Sequence, residues 1–419
     1  MKDKTYTYKS SSDILNAVNY FCNYYGLITK YIKNKKIFSS LDRGAFARPQ
    51  FALKADIYSY LTTKRRSNSF AYGPEIGDEE IRNKIAIIEN KKFNTNYTKD
   101  NIAIVAGAWS GVELVLEELS GLKNGIAQSF KLAVIGPTHY QLFHRAINIL
   151  GIEVFAFDFN NPNHRSTPTN FEVIDELLKE KPNAIFISNP NNPNGQYFPH
   201  DLLKKLIMVA KKEKIYIIID ELQNFLDNTI AGLNYGKWIE SSFVIRIDSF
   251  SKKKGLAEYR NGWVIADKNV LGDRTRGVIG RLSGLMGNAP RAANTVISKI
   301  LDYELVKINS GVDYFDYLDK KLLKLESYIL QELYKIPEIK ILQREGCFNM
   351  TIQVIGFESD IQFSELLMEE GVLIIPCSGY GYDPKDVVMR ITFAERLSKI
   401  KLGIKALKKV IETNRTKYE

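Results

Sequence analysis

From about residue 100 the chain settles into a rhythm of short β-branched runs separated by longer segments of helical period. The runs are NIAIVAG, KLAVIG, IEVFAF, NAIFIS, KIYIIID and SFVIRIDS. Each is apolar at nearly every position, not at every second one, and a strand has that pattern when both of its faces are covered. Between them lie patterns such as SGVELVLEELSGL and HDLLKKLIMVAKKE, in which apolar residues recur every three or four positions. Strands of the first kind joined by helices of the second predict an α/β fold, a mostly parallel central sheet lying between helices.

In such sheets ligands bind beyond the carboxyl ends of the strands. The residues found there are Gly107-Ala108, Pro137-Thr138-His139, Asn189-Pro190, Asp220, and Ser249 to Lys252. Five loops should therefore converge on one crevice. Residues 1–60 read as an N-terminal arm or part of a smaller domain, with Ser12-Asp13 capping the periodic stretch ILNAVNYFCNYYGLI. Residues 61–300 hold the large α/β domain. Past residue 300 the style changes. The long helical pattern NSGVDYFDYLDKKLLKLESYILQELYK runs into the strands NMTIQV and VVMRITFA and a last amphipathic helix, so residues 301–419 read as a smaller α+β domain.

A content of 45% hydrophobic and 25% charged residues over 419 positions is globular. Lys+Arg of 58 against Asp+Glu of 48 leaves +10, but the excess is scattered in runs such as KYIKNKK and reads as solvated surface. Binding to nucleic acid is kept only as an alternative. Cys22, Cys347 and Cys377 form no CxxC pair or Cys/His cluster, which points to a reducing compartment and no disulfide framework. The opening MKDKTYTYKSSSD has no apolar signal stretch and no later run spans a bilayer, so the expectation is a cytoplasmic protein without membrane or metal.

Residues 249–263, SFSKKKGLAEYRNGW, place three lysines between serines and Gly-Leu. With NPNNPNG at 189–195, DELQ at 220–223, GAWSG at 107–111, GPTHYQLF at 136–143, AYGPEIGDEEIR at 71–82 and VVMRITFA at 387–394, this stretch resembles fold-type I pyridoxal phosphate enzymes, specifically the class I/II aminotransferase family, over roughly residues 70–395. The resemblance makes Lys252 the lysine that forms the Schiff base with the cofactor aldehyde, Arg260 the phosphate-binding arginine and Ser249 its hydroxyl partner. Lys253 and Lys254 are left as solvated charge. By the same resemblance Asp220 faces the pyridine nitrogen and keeps it protonated, and Asn192 donates to the phenolic oxygen. Ala108 and Trp109 hold the phosphate by main-chain amides at a helix start, with Ser110 as a further hydroxyl. His139, with Tyr140 as competitor, stacks on the ring. Tyr72 reaches the phosphate of a neighbouring subunit, implying a homodimer, and Arg390 grips the substrate carboxylate.

Read singly, these residues have plainer explanations: an N-cap for Asp220, a turn for NPNNPNG, a structural histidine for His139. The sequence also departs from the family pattern. Gln223 stands where a tyrosine is usual, so an amide replaces an ionisable phenol near the phenolic oxygen, and Asn194 stands where threonine is usual. At the place of the second arginine of dicarboxylate-specific members this chain has Ser283, with Arg281 close by. The resemblance thus implies an aminotransferase that moves the amino group of an amino acid to a 2-oxo acid, a dicarboxylate not being favoured. The alternative within enzymes is a pyridoxal phosphate-dependent oxidase, lyase or cyclising enzyme on a biosynthetic route; outside enzymes it is a cofactor-binding regulator or nucleic-acid-binding module.

Overall fold

The computed structural model describes residues 7–34, 37–42, 72–121, 129–158, 171–223, 235–252, 255–291, 293–314 and 316–414. Lys253 and Lys254 lie outside the described residues, as does much of the arm. The strands are β1 (Thr7–Lys9), β2 (Ser39–Ser40), β3 (Ile102–Val105), β4 (Lys131–Ile135), β5 (Glu153–Asp158), β6 (Ala184–Ser188), β7 (Tyr216–Asp220), β8 (Val244–Ser249), β9 (Gly262–Ile265), β10 (Ile339–Ile341), β11 (Asn349–Val354), β12 (Val372–Leu373), β13 (Ile375–Pro376) and β14 (Val388–Thr392).

The large sheet runs β1-β5-β4-β6-β7-β8-β9-β3. Strands β5, β4, β6, β7 and β8 are parallel to one another, with registers such as Ser188 opposite Asp220. All six runs expected as strands are strands. The sheet is mostly parallel, as expected; β9 enters between β8 and β3 antiparallel to both, and β1 adds an antiparallel edge beside β5. The continuous apolar runs are explained by the two cores they serve. Val134, Phe186 and Ile218 face one cluster while their neighbours Ile135, Ile187 and Ile219 face another, across the sheet. Each such side chain contributes about 1.5–3 kcal/mol by leaving water.

A small antiparallel sheet, β10-β11-β14-β13, forms a separate domain core with the helices Asp316–Leu333, Asp360–Glu369 and Leu397–Asn414. The short parallel pair β2–β12 ties residues 39–40 to it. Two expectations change in detail. The N-terminal helix spans Ser11–Asn34 and starts earlier than Ser12-Asp13 suggested. Ser10 is the cap: its main-chain N–H and hydroxyl donate to Asp13 Oδ2 at 3.0 and 2.7 Å, so Asp13 reaches back from the first turn. The long pattern that begins at Asn309 opens on the last residues of a preceding helix, Asn294–Ser310, which Gly311 closes at φ 75°, and its body is the single helix Asp316–Leu333.

Candidate active site

The parallel strands deliver their last residues to one edge, and Asp220 closes β7 there. Its main-chain oxygen accepts from the Asn189 N–H at 2.8 Å, and its Oδ1 accepts from the Leu222 N–H at 3.0 Å. Burial pushes the carboxyl up to about 6; the Leu222 N–H and the Lys252 ammonium pull the other way. Lys252 follows the end of β8 by three residues. Burial brings its amine down to about 8, Arg390 and Arg260 add to the fall, and Asp220 opposes it. At pH 7 about one-tenth of such an amine is neutral, a far larger reserve of nucleophile and base than a surface lysine holds.

A second corner is built by glycines. Gly107, at φ 84°, precedes the helix Ala108–Leu119, and among the described residues no side chain caps that helix start. A Cβ on Gly107 would lie 2.6 Å from Arg260 Nη2, and one on Gly262 would lie 2.7 Å from the Ala108 amide. The Arg260 guanidinium therefore lies against Gly107, at the start of the helix whose first amides are those of Ala108 and Trp109. Helix dipole, unpaired N–H groups and a guanidinium fork together suit a dianion. The Trp109 indole packs against the large core, which leaves its amide as the group for that corner. Ser249 lies at the same edge, buried, its hydroxyl accepting from the Ser251 N–H at 3.0 Å.

His139 caps the short helix Tyr140–Phe143 through Nδ1, which accepts from the Gln141 N–H at 3.3 Å. Its ring meets Tyr380 edge-on at 5.4 Å. Burial, with the charges of Arg390 and Lys252, drives its imidazole down to about 3, so it is neutral throughout the physiological range. Tyr140 instead packs on Phe21 and Tyr25 of the N-terminal helix, at 4.9 and 5.9 Å. Of the two competitors, His139 is the one that feels the charges of the site.

Arg390 lies in β14, 3% exposed. Its Nη1 donates to Tyr380 Oη at 2.7 Å and to Asn192 Oδ1 at 3.2 Å, and its Nη2 donates to the Asp42 carbonyl at 2.8 Å. Asn191 fastens the same loop by donating to the Pro137 carbonyl at 2.8 Å. Gln223 is buried, and its Oε1 has no partner among the described residues. Tyr72 is 92% exposed and stands out from the chain. Arg281 is engaged elsewhere, its Nε on Glu118 Oε2 at 2.9 Å and Nη1 on Glu117 at 3.8 Å.

Sequence reasoning missed Tyr380, the Asp42 carbonyl and an ion cluster behind Asp220. In that cluster Arg246 is held by both oxygens of Glu221, at 2.7 and 2.8 Å, and by Glu89 at 2.6 Å. The one available signal was an arginine inside the apolar strand VIRID, since a buried guanidinium needs carboxylates. The donor set as a whole fits pyridoxal phosphate: an amine for its aldehyde, a carboxylate for its ring nitrogen, a helix start and guanidinium for its phosphate, and in Gln223 a buried amide whose Nε2 can donate to its phenolic oxygen.

The sequence profile of the family described as aminotransferase class I and II matches residues 41–405. The chain belongs to that family. Its fold is that of the fold-type I enzymes, and its activity is pyridoxal phosphate-dependent amino-group transfer between an amino acid and a 2-oxo acid. It is 24% identical over 356 residues to an aspartate aminotransferase of Sulfolobus acidocaldarius, covering 81% of this chain and 82% of that protein. It is also 26% identical to an S-alkyl-thiohydroximate lyase of Arabidopsis thaliana, over 76% of this chain and 68% of the lyase. In structure it resembles a Thermus thermophilus aspartate aminotransferase single mutant, with a TM-score of 0.75 and 15% identity, over 92% of this chain and 95% of the other. Among the described residues no helix is long and apolar enough to cross a membrane.

Proposed function

We propose that Lys252, Asp220 and Arg390 are the working centre of this aminotransferase and that its amino-acid substrate is not a dicarboxylate. What carries the reading is the meeting at one sheet edge of the Lys252 amine, the Asp220 carboxyl, the Asn192–Arg390 pair and the helix start beside Arg260. In this reading Ala108, Trp109, Ser249 and Arg260 hold the phosphate, His139 covers one ring face, and Asn192 and Gln223 serve the phenolic oxygen by hydrogen bonds. Pyridoxal phosphate, when bound, supplies an acceptor for the electron pair left when the substrate Cα–H bond breaks. Arg390 fixes the substrate carboxylate and thereby the direction of that bond. Lys252 takes the Cα proton and would deliver it to the carbon of the cofactor aldehyde, a task suited to an amine lowered to about 8. Asp220 keeps a proton on the ring nitrogen.

The engagement of Arg281 by Glu117 and Glu118, together with Ser283 two residues on, supports a substrate side chain that needs no second guanidinium. The exposed Tyr72 supports a homodimer in which it completes the partner's phosphate corner, and the three free cysteines support a cytoplasmic setting. We assign residues 1–60 to an N-terminal arm or part of the small domain, 61–300 to the large domain and 301–419 to the small one.

The test is Lys252→Ala with a panel of amino acids and 2-oxo acids, followed by keto-acid release. Loss of turnover with retained fold is expected; near-normal rates would sink the assignment. Keto acid or cleaved side chain released from the parent without any amino acceptor would favour the lyase or oxidase branch, in which Gln223 would be the departure that matters.

A further inference from the structure

Asp220 and Glu221 are consecutive, and the alternation of the strand sends their side chains to opposite faces of the sheet. On the face away from the site, Arg246 grips Glu221 with a two-pronged contact at 2.7 and 2.8 Å and reaches Glu89 of the helix Glu79–Phe93 at 2.6 Å. Its guanidinium lies 5.0 Å from the Phe93 ring and 5.1 Å from the Tyr235 ring. The Tyr235 hydroxyl bonds the Glu221 carboxylate, and it also accepts from Asn189 Nδ2 at 3.4 Å. Asn189 in turn accepts from the Phe198 N–H at 2.9 Å, and its own N–H bonds the Asp220 carbonyl. Three residues after Asn189 comes Asn192.

We propose that this buried chain, Glu89–Arg246–Glu221–Tyr235–Asn189, positions the two cofactor-facing groups Asp220 and Asn192, with the Tyr235 hydroxyl as its joint. The inference rests on the function proposed above. Stability alone does not account for an arginine and two carboxylates in a core, because well-packed apolar residues of the same volume serve as well or better. A guanidinium fork adds direction. Pinning Glu221 from behind fixes the peptide from which Asp220 hangs, and the Tyr235 hydroxyl ties that peptide to the start of the 189–195 loop. None of these groups is placed to touch the cofactor, so their effect passes through Asp220 and Asn192.

Tyr235→Phe removes the hydroxyl and keeps the ring that stacks on Arg246. Tyr97→Phe is the comparison: the Tyr97 hydroxyl also bonds Arg246 and donates to the Ile239 carbonyl at 3.3 Å, so its loss touches the same arginine but leaves the Glu221–Tyr235–Asn189 joint whole. The readouts are the dissociation constant of pyridoxal phosphate from the apoprotein, by tryptophan fluorescence, and the absorption maximum of the bound cofactor. Tyr235→Phe is expected to weaken binding about tenfold, the scale of one hydrogen bond to a charged group, and to displace the maximum, while Tyr97→Phe leaves both as in the parent. Unchanged binding and spectrum in Tyr235→Phe, or equal effects in the two variants, would overturn the proposal. If Tyr235→Phe does not fold, Asn189→Asp breaks the same joint while keeping the acceptor for Phe198, and the same two readouts decide. A parent that takes up no pyridoxal phosphate overturns the function and this inference together; a parent that binds it alongside an indistinguishable Tyr235→Phe overturns the inference alone.

Discussion

Replacing Asp220 by asparagine should make the cofactor-free protein more stable while disabling it. The introduced amide keeps an oxygen where Oδ1 now accepts from the Leu222 N–H, so packing and turn are preserved and the charge alone is lost. Burial raises the folded-state carboxyl from 3.8 to about 6, which means that its ionised form is disfavoured in the fold. The sign follows from linkage: between those two values the unfolded chain has released the proton and the folded chain has not, so the parent loses stability as pH rises through that window. The penalty is absent well below pH 3.8 and fully present above pH 6. At about 1.4 kcal/mol for each pH unit it amounts to about 3 kcal/mol, which water at the partly exposed edge of the group trims to about 2. The assay is urea unfolding of the two apoproteins at several pH values between about 4.5 and 7.5, a range that brackets the folded-state value. The variant's advantage should grow with pH and level off above pH 6. An advantage that stays constant with pH, or a variant less stable than the parent at the alkaline end of the range, would refute the reasoning. Turnover of the loaded variant should fall by about a hundredfold or more, since an amide cannot hold the ring proton.

Tyr380→Phe should raise KM for the amino acid about fivefold and leave kcat nearly unchanged, because the lost hydroxyl orients Arg390 before and during the reaction alike; steady-state kinetics reads the split, and an unchanged KM would count against Tyr380 as a support of Arg390. Arg281→Ala should leave kcat and KM as they are and cost about 1 kcal/mol or less in unfolding experiments, since its partly exposed pairs with Glu117 and Glu118 are surface ion pairs. A specific loss of turnover in that variant would show that Arg281 reaches substrate after all.

Most of the large sheet could be read from the chain because each of its parallel strands β4–β8 serves two cores, and a strand covered on both faces cannot hide its pattern. Strand β9 escaped because it starts at Gly262 with only four residues, and its antiparallel insertion between β8 and β3 depends on a tight approach over the Ala108 amide that only a glycine allows. Site residues divide in the same way. Lys252, Asp220, His139 and Asn192 follow strand ends, where topology alone gathers them. The partners that tune them come from far along the chain: the Asp42 carbonyl is 348 residues from Arg390, and Glu89 is 157 from Arg246. No local spacing encodes such contacts. Yet Arg246 did announce that something was missing, because a charge within a strand buried on both faces has no stable place unless carboxylates come to it. Its partners are found at Glu89 and at Glu221, adjacent to the residue that faces the ring nitrogen in the proposed site. The same burial that makes Asp220 costly to ionise and Lys252 costly to protonate therefore also requires the ion cluster behind them, and local stability and chemical function are set against each other at this one edge of the sheet.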